Sequence, residues 1–181
     1  MNKKNLALDI DSVLANTMDM IITSMGIKIS KDKITDYDFL KTKYGSNSFW
    51  SGYNFSWENN KMIRREEGDS PTTVRELSEI IDVSYVTCRR ESMRGQTKDW
   101  LKRNDFPELP LIICNKPEEK MVYDIIVDDR SDMVDLVRNK EDKILYLFDQ
   151  PWNKSVGIFL LNNVTRVKSL KEVYNEIKKE A

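Results

Sequence analysis

Short apolar runs punctuate this chain, and stretches with helical spacing lie between them. The runs are Asn5–Ile10, Val83–Thr87, Leu111–Cys114, Asp124–Asp128 and Lys143–Phe148, with Gly157–Leu161 expected as a short sixth. Runs this short and this continuously apolar suit strands buried on both faces, as in a parallel sheet. The segments between them read as helices. Ser70-Pro71 looks like an N-cap with proline at the first helical position, and Val74, Leu77, Ile80 and Ile81 follow at helical spacing. Trp100 and Leu101 mark a helix over 96–103, and Met133, Val134, Leu136 and Val137 form another apolar stripe. Ser169-Leu170-Lys171-Glu172 is a capping box that opens a last helix with Leu170, Val173, Tyr174 and Ile177 on one face. Strand–helix alternation of this kind predicts an α/β fold with a doubly wound parallel sheet.

One stretch breaks the rhythm. From about Lys28 to Asp69 no strand–helix unit is visible, but Tyr37, Phe39, Tyr44, Phe49, Trp50, Tyr53, Phe55 and Trp57 crowd together. This reads as a small, mostly helical cap, placing residues 1–15 and 77–181 in the α/β core and 16–76 in the insert. The aromatics either build the cap's own core or, for one or two of them, line a pocket facing the sheet. A length of 181 residues suits one domain with such an insert, and 40% apolar with 33% charged residues is an ordinary globular balance.

The chain has no histidine. That excludes Ser-His-Asp and Cys-His triads and every His-ligated zinc or iron site. Its two cysteines, Cys88 and Cys114, make neither a disulfide framework nor a thiolate metal site, and read as small core residues at strand ends. Lys+Arg number 29 against 30 Asp+Glu, and a net charge of −1 argues against tracking long nucleic acid. Met1-Asn2-Lys3-Lys4 is basic, but Asp9 and Asp11 break the apolar stretch behind it, so no signal peptide is predicted. No run approaches the ~20 apolar residues of a spanning helix, so no membrane partner is expected and a cytoplasmic location is the default.

In an open parallel sheet, ligands bind beyond the carboxyl ends of the strands. There the sequence places Asp9 and Asp11, then Thr87, then Lys116 in the loop after the third run, then Asp128 and Asp129. So many carboxylates cannot ionise together without a cation among them. All-oxygen donors point to a hard ion, and Mg²⁺ fits best. Thr87 and Lys116 would hold phosphate oxygens, so the set suits phosphoryl transfer.

Asp9-Ile10-Asp11-Ser12-Val13 resembles the DxDx[TV] motif of the haloacid dehalogenase superfamily of phosphohydrolases. Thr87, a following lysine and Asp128-Asp129 match its later motifs in order. The resemblance implies a Rossmann-like core with a C1-type cap. It makes Asp9 the nucleophile that forms an aspartyl-phosphate, and Asp11 the acid and base that protonates the leaving oxygen and then activates water. It implies Mg²⁺ held by Asp9, the main-chain carbonyl of Asp11, and Asp128 or Asp129. Either Lys116 or Lys120 fills the lysine position; Lys116 is favoured because Pro117 would start a helix beside it.

Leu14-Ala15-Asn16, the segment from Ile34 to Phe39, Val86-Thr87-Cys88-Arg89 and Asp128-Asp129-Arg130 are similar to the 5′(3′)-deoxyribonucleotidase group. That likeness implies a nucleoside monophosphate as substrate, with Phe49, Trp50 and Trp57 as candidates to stack on the base. Rival substrates are a sugar phosphate or a nucleic-acid phosphate end, and a rival class is a non-catalytic Mg²⁺- and phosphate-binding module. A receiver domain is disfavoured, because it lacks a cap and puts its phosphorylated Asp on a later strand. Arg90 reads as solvated, while Arg89 and Arg130 could reach substrate or hold the acidic loop.

Overall fold

The computed structural model describes residues 4–180. In chain order it comprises β1 (Asn5–Leu8), α1 (Thr17–Ser24), α2 (Phe39–Tyr44), α3 (Ser46–Glu58), α4 (Ser70–Ile80) and β2 (Asp82–Cys88). Then come α5 (Arg94–Arg103), β3 (Leu111–Cys114), β4 (Ile125–Asp128), α6 (Asp132–Val137), β5 (Ile144–Phe148), β6 (Val164–Val167) and α7 (Leu170–Glu180). Short 3-10 turns join several of these, including one over Pro117–Val122 and one over Pro151–Asn153.

The six strands form one sheet in the order β3-β2-β1-β4-β5-β6, and every neighbouring pair is parallel. Alternate residues of each strand leave by opposite faces. Leu6, Leu8, Ile125, Val127, Tyr146 and Phe148 enter one apolar cluster, which Leu77, Trp100 and Val173 complete from the helices. Ala7, Val86, Ile126, Leu145 and Leu147 enter a second cluster with Met133, Val134 and Val137 of α6. Both faces are covered, so the runs are apolar throughout. The doubly wound α/β class expected from the sequence is the one observed.

Two element expectations need correction. Gly157–Leu161 is not a strand; Phe159 and Leu160 there are almost fully exposed, and the sixth strand is Val164–Val167, at the sheet edge beside β5. Its two apolar residues, Val164 and Val167, are buried in opposite clusters with Thr165 and Arg166 between them, so no continuous apolar run marks the strand. Ser70 is the first helical residue of α4 and not its cap, a place taken by Asp69.

No strand lies between α1 and α4, where α2 and α3 supply the structure. Gly45 joins them at φ 93° and ψ 140°, a conformation that residues with a Cβ avoid. α3 lies against α1, and Gly52 is why it can come so close. A Cβ at that position would meet Met25 Cγ at 2.9 Å and the Ile21 carbonyl oxygen at 3.4 Å. Among the described residues, no helix is long and apolar enough to cross a membrane.

The chain builds outward from β1 to β2 and β3, then returns to β4 on the other side of β1. The crevice beyond the carboxyl ends of β1 and β4 therefore sits where the strand order reverses, the usual place for a ligand in such sheets.

Candidate active site

Asp9 follows β1 directly, and its amide donates to the Val127 carbonyl of β4 at 3.0 Å. The backbone then folds sharply. The amides of Leu14 and Ala15 converge on the Ile10 carbonyl at 3.0 and 2.8 Å, and Ser12 is held at φ 59°. A non-glycine residue in the left-handed region costs on the order of 1–3 kcal/mol, and such strain gathers at functional sites. The turn lets two carboxylates only two residues apart serve different surroundings. Asp9 faces the end of the sheet; Asp11 faces α3.

At the sheet end, Asp9, Asp128 and Asp129 are all buried, and one oxygen from each lies within 4.8 Å of the others. Lys120 is equally buried and donates to Asp9 Oδ1 at 2.9 Å and to Asp128 Oδ2 at 2.6 Å. Asp128 Oδ1 accepts from the Arg130 amide at 2.9 Å, and Asp129 Oδ2 accepts from Trp152 Nε1 at 2.8 Å. These bonds use one oxygen each of Asp9 and Asp129. Burial pushes Asp9 up to about 7; the Asp128 and Asp11 charges add to this, and Lys120 works against it. Burial likewise holds Asp129 well above the usual carboxylate range, reinforced by Asp128 and Asp9. Burial alone would discharge Lys120, but the Asp128 and Asp9 carboxylates outweigh it and keep the ammonium well above its ordinary value. With all three carboxylates ionised against one ammonium, two negative charges would remain to be balanced. With oxygens as the only donors, the cluster fits a hard divalent cation.

Lys116 does not join this cluster. It is exposed in the loop after β3, and Lys120 occupies the position expected of it. The reason is the turn that begins at Pro117. A 3-10 turn repeats every three residues, so Lys120 returns to the face presented at Pro117 and is carried back under the strand ends.

Asp11 is gripped by four donors. Its Oδ1 accepts from Thr17 Oγ1 at 2.7 Å and Trp57 Nε1 at 3.1 Å. Its Oδ2 accepts from the Tyr53 hydroxyl at 3.0 Å and Arg89 Nη2 at 2.6 Å. Burial pushes the Tyr53 hydroxyl well above its ordinary value, so it keeps its proton and can donate. Arg89 also reaches Thr87 Oγ1 through Nε at 3.2 Å and Thr97 Oγ1 through Nη1 at 2.8 Å. Its guanidinium lies 3.9 Å from the centre of the Trp57 ring.

Trp57 is therefore not free to stack on a ligand. It is fully buried between Arg89 and Trp100, with its N–H spent on Asp11, which corrects the stacking role expected from the sequence. Phe49 and Trp50 do border the cavity, with Trp50 the more open at 46% exposed. The sequence reading counts Tyr37 and Tyr53 only among the cap's aromatics, with no role assigned, and does not single out Trp152. Tyr37 stacks on the Arg130 guanidinium at 4.6 Å. Position alone marks none of these three. Arg89 did carry a signal: two residues after Thr87, it leaves the extended chain on the same side.

The cavity has a volume of about 370 Å³. Asp9, Thr87, Lys120 and Asp129 lie on its wall, as do Asp11, Thr17 and Tyr53. Lys41, Phe49, Trp50, Tyr37 and Arg130 also line it. The Lys41 ammonium sits 5.1–5.3 Å from the ring centres of Tyr37, Phe49 and Trp50. A wider hollow of about 680 Å³ over Ile22, Lys31 and Pro151 gathers none of the carboxylate cluster. The 370 Å³ cavity thus combines buried carboxylates, an ammonium and a hydroxyl with an aromatic wall. Such a set can hold an anionic group against a cation and present a carboxylate to it.

No protein-family model matches the chain. A protein of Oceanobacillus iheyensis named "Putative nucleotidase" is 33% identical over 96 residues, which are 48% of this chain and 50% of that protein, so the match spans about half the length of each. Solved structures agree over nearly the whole chain. A Haemophilus somnus protein titled a predicted phosphoglycolate phosphatase gives a TM-score of 0.63 at 11% identity, over 97% of this chain and 98% of its own. A haloacid dehalogenase-like hydrolase of Burkholderia xenovorans, so titled as putative, gives 0.61 at 11%, over 99% and 98%. The Bacillus subtilis HAD-hydrolase YfnB, solved with magnesium bound, gives 0.58 at 11%, over 98% and 99%. The fold of this chain is that of the haloacid dehalogenase-like hydrolases.

Proposed function

We propose that this chain, folded as a haloacid dehalogenase-like hydrolase, is a Mg²⁺-dependent phosphatase acting on nucleoside monophosphates through an aspartyl-phosphate on Asp9. The observation that carries the reading is the pairing of two unlike carboxylates across one cavity. Asp9 stands among buried charges, and Asp11, two residues on, stands among hydroxyls and aromatics. Their separate surroundings suit separate roles, one as nucleophile and the other as proton carrier.

Asp9, Asp128 and Asp129, with the main-chain carbonyl of Asp11, would hold the ion. Bound there, Mg²⁺ would balance the cluster's charge and draw electron density from a phosphoryl oxygen. Thr87 and Lys120 would take up further phosphate oxygens by hydrogen bond and charge. An Asp9 oxygen would then attack phosphorus as the ester oxygen leaves with a proton from Asp11. Asp11 would next take a proton from the water that cleaves the acyl phosphate, restoring Asp9. Residues 16–76 would serve as the cap. The aromatic wall of Phe49 and Trp50 supports a base in the substrate, since stacking is worth about 1–3 kcal/mol per base. The partial match to a protein named as a nucleotidase points the same way.

The test is phosphate release from a panel of nucleoside monophosphates, sugar phosphates and p-nitrophenyl phosphate. The account expects Mg²⁺-dependent release from a nucleoside monophosphate, abolished by EDTA and by Asp9→Asn. Lys120→Met should lose on the order of a hundredfold or more, while Lys116→Met should match the wild type. Release from sugar phosphates alone would replace the substrate class. Silence across the panel in a folded protein would favour a binding module.

A further inference from the structure

Asp11 is surrounded by two kinds of donor, and the difference between them is chemical. The hydroxyls of Thr17 and Tyr53 can either donate or accept, and both line the cavity. The indole of Trp57 and the guanidinium of Arg89 can only donate, and neither lines the cavity. A proton carried by Asp11 cannot sit on a lone pair that already faces an N–H. It must sit on one facing a hydroxyl or a ligand.

We propose that Arg89, stacked on Trp57, is the positioning residue for Asp11: the two donor-only groups grip its carboxyl from behind and leave its proton-bearing lone pairs facing the cavity. This rests on the phosphatase reading and adds to it the group that orients the proton carrier. Arg89 suits the task because all three arms of its guanidinium are engaged at once. Nη2 holds Asp11, Nη1 holds Thr97 of α5 and Nε holds Thr87. Stacking on Trp57 at 3.9 Å fixes its plane, and its side chain is completely shielded from solvent. The same contacts tie Asp11 to α3, which also presents Tyr53. A lysine could restore a charge at this place but not a plane with three directed donors.

The test exploits leaving groups. An alkyl phosphate needs a proton delivered to its departing oxygen, whereas p-nitrophenolate leaves without one. Arg89→Lys should lose on the order of a hundredfold in turnover of the alkyl ester, with KM within about twofold of wild type. With p-nitrophenyl phosphate the first turnover should be spared and a burst of p-nitrophenolate should appear, because the water step still needs Asp11. Trp57→Phe, which keeps the ring and removes the N–H, should shift both readouts the same way and serves if Arg89→Lys does not fold. Equal losses on both esters with no burst, or no loss at all, would overturn the inference. An inactive wild type would instead sink the phosphatase reading, and this inference with it.

Discussion

Asp9 carries the sharpest consequence at the scale of single residues. Its folded-state pKa is raised from 3.8 to about 7 by burial, reinforced by the Asp128 and Asp11 charges and opposed by Lys120. Between those values the folded chain keeps a proton that the unfolded chain has released. Stability contributed by Asp9 is therefore fully present below pH 4 and is lost as pH rises through about 7. In EDTA, the unfolding free energy of wild type relative to Asp9→Asn should fall over this window, by on the order of a few kcal/mol at most. A saturating divalent cation should remove the fall, since it favours the ionised carboxylate. Urea unfolding of both proteins at a series of pH values checks this, and a pH-independent difference would contradict it. Asp9, Asp11, Thr87, Asp128 and Asp129 were legible in the sequence because each sits where an apolar run stops. Lys120 was not favoured, because only three residues of a tight turn separate it from Lys116 and spacing alone does not show which returns to the sheet. Trp57 was legible as an aromatic but not as a brace, since its role depends on Arg89 arriving from a distant strand.

Among the elements, α3 has the largest influence on the site, because it supplies Phe49, Trp50, Tyr53 and Trp57. Its distance from α1 is set at Gly52. Glycine in a helix interior costs about 0.5–1 kcal/mol relative to alanine, which makes the close approach its structural reason. Gly52→Val should push α3 from α1, destabilise the fold by about 1–3 kcal/mol and lower activity by moving Tyr53 and Trp57 off Asp11. Thermal unfolding and turnover together check this; a Gly52→Val protein with wild-type melting and activity would show that the helix spacing does not matter. The central strands were legible because burial on both faces makes them continuously apolar. β6 was missed because Val164 and Val167 are parted by Thr165 and Arg166 and make no apolar run, while the more apolar Gly157–Leu161 drew the expectation and stays outside the sheet.

At the scale of the molecule, strand order and chemistry agree. The sheet reverses its order between β1 and β4, and that reversal brings residues 9, 11, 87, 120, 128 and 129 to one end although they span most of the chain. The α2–α3 segment then lays aromatics over the same end. The central claim is that a carboxylate oxygen of Asp9 takes the phosphoryl group. The most direct measurement is to quench the protein during turnover of a nucleoside monophosphate with Mg²⁺ and treat it with borohydride, which reduces an acyl phosphate to an alcohol. Peptide mass spectrometry should then find the reduced side chain at position 9, only when substrate and Mg²⁺ were both present. Phosphate release with an unmodified Asp9, or a trapped group on any other residue, would contradict the central claim.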